Sequence, residues 1–197
     1  MKYLIFGSAW YIENWCEQNN QYFDDGCLVT INNSIKVVSK YRSVHRWYVG
    51  TDFFIKKYHE DPQFNIHEYC NFYNFGYPSI ISGDFLTRPY GYYCSQGGTM
   101  ILNVCYDLLN KSMLRHEKCT IGIIGCDLIY NKNKSHFYNG GTNDPLRLGV
   151  DLLKTYLDNL KNSFVFSHNL IFNLSEETDT LLPFDKISTD DFYKLKI

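Results

Sequence analysis

The sequence predicts an α/β protein: a single Rossmann-like domain whose mostly parallel sheet carries helices on both faces. Three observations lead there. Short apolar runs rich in β-branched and aromatic residues recur along the chain. Helical patterns lie between some of them, and strands that alternate with helices build a parallel sheet buried on both sides. At 197 residues the chain fills one core, and two would be cramped, so 1–197 is read as one domain.

The strand runs are KYLIF (2–6), CLVTI (27–31), RWYVG (46–50), CTIGIIG (119–125) and SFVFS (163–167). Each is short and bounded by turn residues, as buried strands are. The clearest helix begins after Gly97-Gly98-Thr99, where Met100, Ile101, Val104, Cys105, Leu108, Leu109 and Met113 share one face. A second runs from Pro145 to Leu160, with Leu146, Val150, Leu153, Leu157 and Leu160 on one side. Asp144 is placed as its N-cap and Pro145 in its first turn.

Composition narrows the class. Hydrophobic content of 45% and aromatic content of 17% exclude a disordered chain. A net charge of −2 gives no global attraction to nucleic acid or membrane. The seven cysteines are an odd set with no CxxC pair, which suggests neither a disulfide framework nor a zinc ribbon. Several sit inside apolar runs, as reduced thiols do in a reducing compartment. No run approaches membrane-spanning length, and the expectation is a soluble, cytoplasmic protein.

In open parallel sheets ligands bind at the carboxyl ends of the strands, so the loops after Phe6, Ile31, Gly50 and Gly125 are expected to converge. The first, FGSAW, offers Gly7 and Ser8, which suit close approach of a phosphate or an ordinary turn equally. The second, TINNS, offers Asn32 and Asn33 as amide contacts to a base or ribose, or as a turn using asparagine's tolerance of left-handed backbone. Ser95, Gly97, Gly98 and Thr99 open the best helix, where free amides and the dipole suit an anion. Plain capping by Ser95 or Thr99 is the bland alternative.

After GCDLIY comes the polar loop YNKNKSHFYNGGTND, with His136 among hydroxyls and glycines. A lone histidine is more often structural than catalytic, but this one follows a central strand on the binding side. It can take a proton near neutral pH, with Asp144 or Asp127 to orient it. His116, near a helix C-terminus, is read as complementing the dipole. A basic stretch from Lys36 to Lys57, including Lys40, Arg42, His45 and Arg46, is read as contacting a polyanionic acceptor or simply as solvated surface.

In order, these segments are FGSAW, TINNS, WYVGTD, Ser-x-Gly-Gly-Thr opening a helix, GCDLIY, Ser-His-Phe-Tyr, and FNLSEETDTLLPF near the end. That order resembles the bacterial sialyltransferases of the Campylobacter type and their glycosyltransferase-like relatives, across most of the chain. The resemblance implies a Rossmann-like nucleotide-sugar domain. It places Gly7 and Ser8 against the donor's phosphate and ribose, and Asn32, with Asn33, on the nucleotide. It places Ser95, Gly97, Gly98 and Thr99 on the sugar or its carboxylate, and Tyr138 on the donor side; His136 is the general base, with Tyr130, hydrogen-bonding the departing phosphate, and Asp127 in the catalytic set. Lys36, Lys40 and Arg42 are left as acceptor contacts.

The implied chemistry is inverting transfer from a nucleotide-activated sugar, with no cofactor and no metal. This chain departs from the family at one point: Tyr130 and His136 are six positions apart, so the lid between them is absent or replaced. Two alignments therefore stay open, His136 as base or His136 in place of a second phosphate-binding tyrosine. The donor is open too, as a CMP-, UDP- or GDP-sugar. The acceptor is a glycan or a hydroxymethylated DNA base in a viral or phage setting. A non-catalytic nucleotide-binding partner protein and a nucleotide-sugar hydrolase are the alternatives.

Overall fold

Strand β1 (Lys2–Phe6) buries four of its five residues, and β2 (Cys27–Ile31) does the same. A strand that is covered on both faces needs a continuous apolar run, which is what KYLIF and CLVTI supply. The computed structural model describes residues 1–49, 71–74, 84–85, 100–129, 150–163 and 170–196. In it β1 pairs in parallel with β2 on one side and with β6 (Thr120–Ile124) on the other.

The remaining strands are β3 (Arg46–Val49), β4 (Asn71–Asn74), β5 (Asp84–Phe85), β7 (Leu170–Asn173) and β8 (Asp185–Lys186). Their order across the sheet is β5-β4-β3-β2-β1-β6-β7-β8, and every neighbouring pair is parallel. Six strands have four or five residues and the two edge strands have two each. The class expected from the sequence is therefore the class observed.

Helices cover both faces. Leu4, Phe6, Trp47, Val49 and Ile124 pack against α1 (Ile12–Asn19), α2 (Ile35–Val38) and Phe192 of α5 (Thr189–Lys194). Tyr3, Ile5, Val29, Ile121 and Ile123 pack on the other side against α3 (Ile101–Leu114) and α4 (Val150–Ser163). Adjacent residues of β1 thus enter opposite cores, as period-two side-chain alternation requires. Burying each large aliphatic chain there stabilises by about 1.5–3 kcal/mol.

Several expectations change in detail. Met113 is 46% exposed, not buried. Ser112 takes the inward position in the last turn of α3, and at about 100° per residue Met113 is turned to its flank. His116 has φ of 56° and ends α3. Its amide reaches Met113 O at 3.0 Å, while the Glu117 amide reaches Ser112 O at 2.9 Å. That pair of bonds is a Schellman motif, so His116 serves α3 through its left-handed backbone.

In the SFVFS run, Ser163 closes α4 and 164–167 lie outside the described residues. The strand that pairs with β6 is Leu170–Asn173, in the register Thr120 to Leu170. Both runs are short and apolar, and pattern alone does not choose between them. In α4, Leu157 and Leu160 are buried as expected, whereas Asp144 and Pro145 lie outside the described residues. Among the described residues no helix is long and apolar enough to cross a membrane.

Gly122 of β6 faces the α5 side, where a Cβ would lie 2.6 Å from Leu174 Cδ1 and 3.1 Å from the Phe192 ring. Gly122→Val should cost about 1–3 kcal/mol through overpacking. In a chain of this size that is a fall in Tm of about 2–4 °C per kcal/mol. An unchanged melting curve would show that this face is not packed as described.

Candidate functional site

The sheet reverses direction at β1. The chain steps outward from β1 through β5, then crosses back to place β6, β7 and β8 on the other side. At such a switch point the loops leaving neighbouring strands diverge and open a crevice at the carboxyl edge. Here the loops are those after Phe6 and after Ile124.

The two loops are held against each other by backbone. Gly7 donates to Ile124 O at 2.7 Å, and Ala9 donates to Gly125 O at 3.1 Å. A Cβ on Gly7 would lie 2.1 Å from Gly125 O and 2.5 Å from Cys126 Sγ. Gly125 has φ of 71°, in the region that favours glycine. Gly7 is thus required by the contact itself, and its amide is already used in the seam. Ser8 is half-buried beside it.

The loop after β2 joins the same edge. Asn32 has φ of 48°, so the left-handed turn that asparagine tolerates is the one observed. Its carbonyl accepts from Trp47 Nε1 at 3.0 Å. Ser34 Oγ lies 2.6 Å from Phe6 O and accepts from the Ile31 amide at 2.9 Å, tying the loop to β1. The side chains of Asn32 and Asn33 are half-buried there.

Asp127 sits two residues past Gly125 and is only 5% exposed. Its Oδ2 accepts from the Tyr11 hydroxyl at 2.7 Å. With that proton committed, the phenol oxygen accepts from the Gly125 amide at 3.2 Å and from Ser175 Oγ at 2.9 Å. Ser175 Oγ in turn accepts from the Glu177 amide at 2.9 Å, and Asn173 Oδ1 holds the Ser175 amide at 2.8 Å. Asp127 Oδ1 is buried with no hydrogen-bond partner among the described residues.

Burial pushes the Asp127 carboxyl above its ordinary value of 3.8, and the hydroxyls of Ser175 and Tyr11 beside it only partly offset this. The Tyr11 phenol is pushed up by burial and then by the neighbouring Asp127 charge, so it remains a protonated donor. Burial likewise raises the Cys126 thiol, which packs at the seam as an inert small hydrophobe.

Sequence reasoning singled out Asp127, Gly7 and Ser8, and the structure brings their loops together. It did not assign Tyr11 or Ser175, which reach Asp127 from α1 and from the end of β7. The signal available for Ser175 was its place directly after the run LIFNL, and Tyr11, inside AWYI, left none. Tyr130, His136, Tyr138, Ser95, Gly97, Gly98 and Thr99 lie outside the described residues.

The basic stretch is not one surface. Lys40 pairs with Glu13 at 3.1 Å, and Arg42 pairs with Asp24 just ahead of β2, by the amino edge of the sheet. Exposed pairs of this kind contribute about 0–1 kcal/mol each. Lys36 lies half-buried in α2. Arg46 is buried with its guanidinium 5.2 Å from the Tyr3 ring centre. His45 Nδ1 accepts from the Leu28 amide at 3.0 Å, and burial lowers its pKa, helped by Arg42 and Arg46.

The fold and the seam define a doubly wound, Rossmann-like parallel α/β protein with polar groups gathered at its switch point. No protein-family model, curated protein or solved structure matches the chain. Among the described residues no cluster of three or more histidine, cysteine or carboxylate side chains is placed to hold a metal.

Asp127 gives a pH prediction. Its native pKa lies above the unfolded value, so the native state binds the proton more tightly. The stability this gives is full below pH 3.8 and is lost as pH rises through the native pKa. Asp127→Asn removes that loss, so its Tm relative to wild type should climb as pH rises from 3.8 through the native pKa of Asp127. A Tm difference independent of pH would contradict the burial of an ionisable carboxyl here.

Proposed function

We propose that the chain is a glycosyltransferase that moves a sugar from a nucleotide-activated donor to a hydroxyl acceptor. The donor is a CMP-, UDP- or GDP-sugar, and the acceptor a glycan or a hydroxymethylated DNA base. The observation that carries this reading is the reversal of strand order at β1, beside a Gly-Ser loop and a buried carboxyl. Crevices at that position are where open α/β sheets take nucleotides. The order of motifs along the chain supports the same donor class.

In the proposed reaction His136 removes the acceptor hydroxyl proton, and the oxygen attacks the anomeric carbon from the face opposite the phosphate. The bond from that carbon to the phosphate oxygen breaks, and the nucleotide leaves with the electron pair. Tyr130 donates to the departing phosphate. Asn32 and Asn33 contact the nucleotide, and Ser95, Gly97, Gly98 and Thr99 hold the sugar. The setting is the cytoplasm of a bacterium or of an infected host cell.

One observation favours a second reading. The Gly7 and Ala9 amides are engaged in the β1–β6 seam, which leaves fewer donors for a departing phosphate. A non-catalytic nucleotide-binding partner protein needs none.

Incubation with CMP-, UDP- and GDP-sugars separates the two. The proposal expects one nucleotide class to raise the Tm and its sugar conjugate to release nucleotide when an acceptor is present. His136→Ala should lower transfer by at least about 100-fold, with the nucleotide-dependent rise in Tm retained. Full activity in that variant removes the base assignment, and no Tm response to any nucleotide removes the donor site.

A further inference from the structure

A second recess of about 640 Å³ opens on the α1 and α5 side of the carboxyl edge, past the ends of β7 and β8. Trp15, Leu174 and Ile187 supply its apolar surface. Glu176, Lys186 and Thr189 supply carboxylate, ammonium and hydroxyl groups, and Ser175 joins it to the buried Tyr11–Asp127 pair. Its volume lies within the range of ordinary small-molecule sites, roughly 300–1,000 Å³.

The chemistry of the lining selects the ligand. Glu176 and Asp190 outnumber Lys186, so a phosphate or other anion is disfavoured. Burial and the neighbouring Glu177 and Asp127 push the Glu176 carboxyl up, so a second negative charge is unwelcome there. A wholly apolar ligand would strip water from charged groups without replacing its hydrogen bonds. A neutral molecule with many hydroxyls on an aliphatic ring meets both surfaces: hydroxyls on Glu176, Lys186 and Thr189, ring carbons on Leu174 and Ile187. Lys186 Nζ gives one proton to Glu177 O at 3.1 Å and keeps two, and the other polar groups each already hold a partner. Ser188 Oγ caps α5 through the Asp191 amide at 3.1 Å, Asn19 Nδ2 donates to Trp15 O at 2.9 Å, and Asp190 accepts from Tyr22.

We infer that this recess binds a neutral, hydroxyl-rich ligand of the carbohydrate class. Assigning that ligand as the acceptor rests on the glycosyltransferase reading; the binding itself does not. Acceptor recognition then moves away from Lys36, Lys40 and Arg42 to the end of β7, where Ser175 contacts the same phenol as Asp127.

Titration of the full chain with methyl glucoside, methyl galactoside and methyl N-acetylglucosaminide, followed by backbone amide resonances, tests this. Shifts confined to 174–176 and 187–190 are expected, with inorganic phosphate giving none there. Glu176→Ala is expected to raise the Kd of the bound glycoside about tenfold or more, with the Tm of the free protein unchanged. The inference is overturned if no glycoside shifts those amides, if phosphate shifts them instead, or if Glu176→Ala binds as wild type does. Glycoside binding without a Tm response to any nucleotide keeps the carbohydrate site and removes the transferase reading. A nucleotide response without glycoside binding does the reverse.

Discussion

The approach of two backbones at Gly7 and Gly125 is the constraint on which the architecture turns. Strand β1 is hydrogen-bonded on both sides, to β2 and to β6, and the chain leaves both β1 and β6 at one edge. The two exits collide if residue 7 carries a side chain, and the positive φ of residue 125 favours glycine there. Only that clearance lets Ala9 bond to Gly125 O and lets α1 begin where Tyr11 reaches back over the seam. The position of Asp127 follows, because Tyr11 and Ser175 approach it from helices and strands that β1 and β6 have already fixed.

The polar groups on the two faces of the sheet differ in kind. On the α3 side, Tyr48 donates to Asp107 at 2.5 Å and Lys111 pairs with the same oxygen at 2.9 Å. That carboxylate has a phenol and an ammonium, and it reads as structural. Among the described residues, Asp127 has a phenol, a neighbouring hydroxyl and no cation in its hydrogen-bonded shell. A buried carboxyl with a partner on one oxygen and none on the other is costly to hold ionised. Costs of this kind concentrate at sites that do something, and the switch point of an open sheet is where ligands bind.

Much of the fold was legible because burial on both faces leaves an unmistakable pattern. KYLIF and CLVTI coincide with β1 and β2 residue for residue, and the apolar stripe from Met100 to Leu109 coincides with the buried side of α3. The edges were not legible. Strand β4 is polar at both ends, and β5 and β8 are two residues each, too short to show alternation. Around the site, a glycine after β1 and an aspartate after β6 were visible as departures from apolar runs. The contacts of Tyr11 were not, since it lies 116 positions from Asp127 and 164 from Ser175 and meets them only through the sheet.

We propose that the carboxyl edge at the β1–β6 switch point is the nucleotide site. Mapping backbone amide shifts while CMP, UDP or GDP is added tests it most directly. The responding nucleotide should perturb Ser8, Asn32, Asn33 and 125–128, while Gly26 and His45 at the amino edge stay still. Perturbation centred on the amino edge, or spread evenly over the sheet, would contradict it.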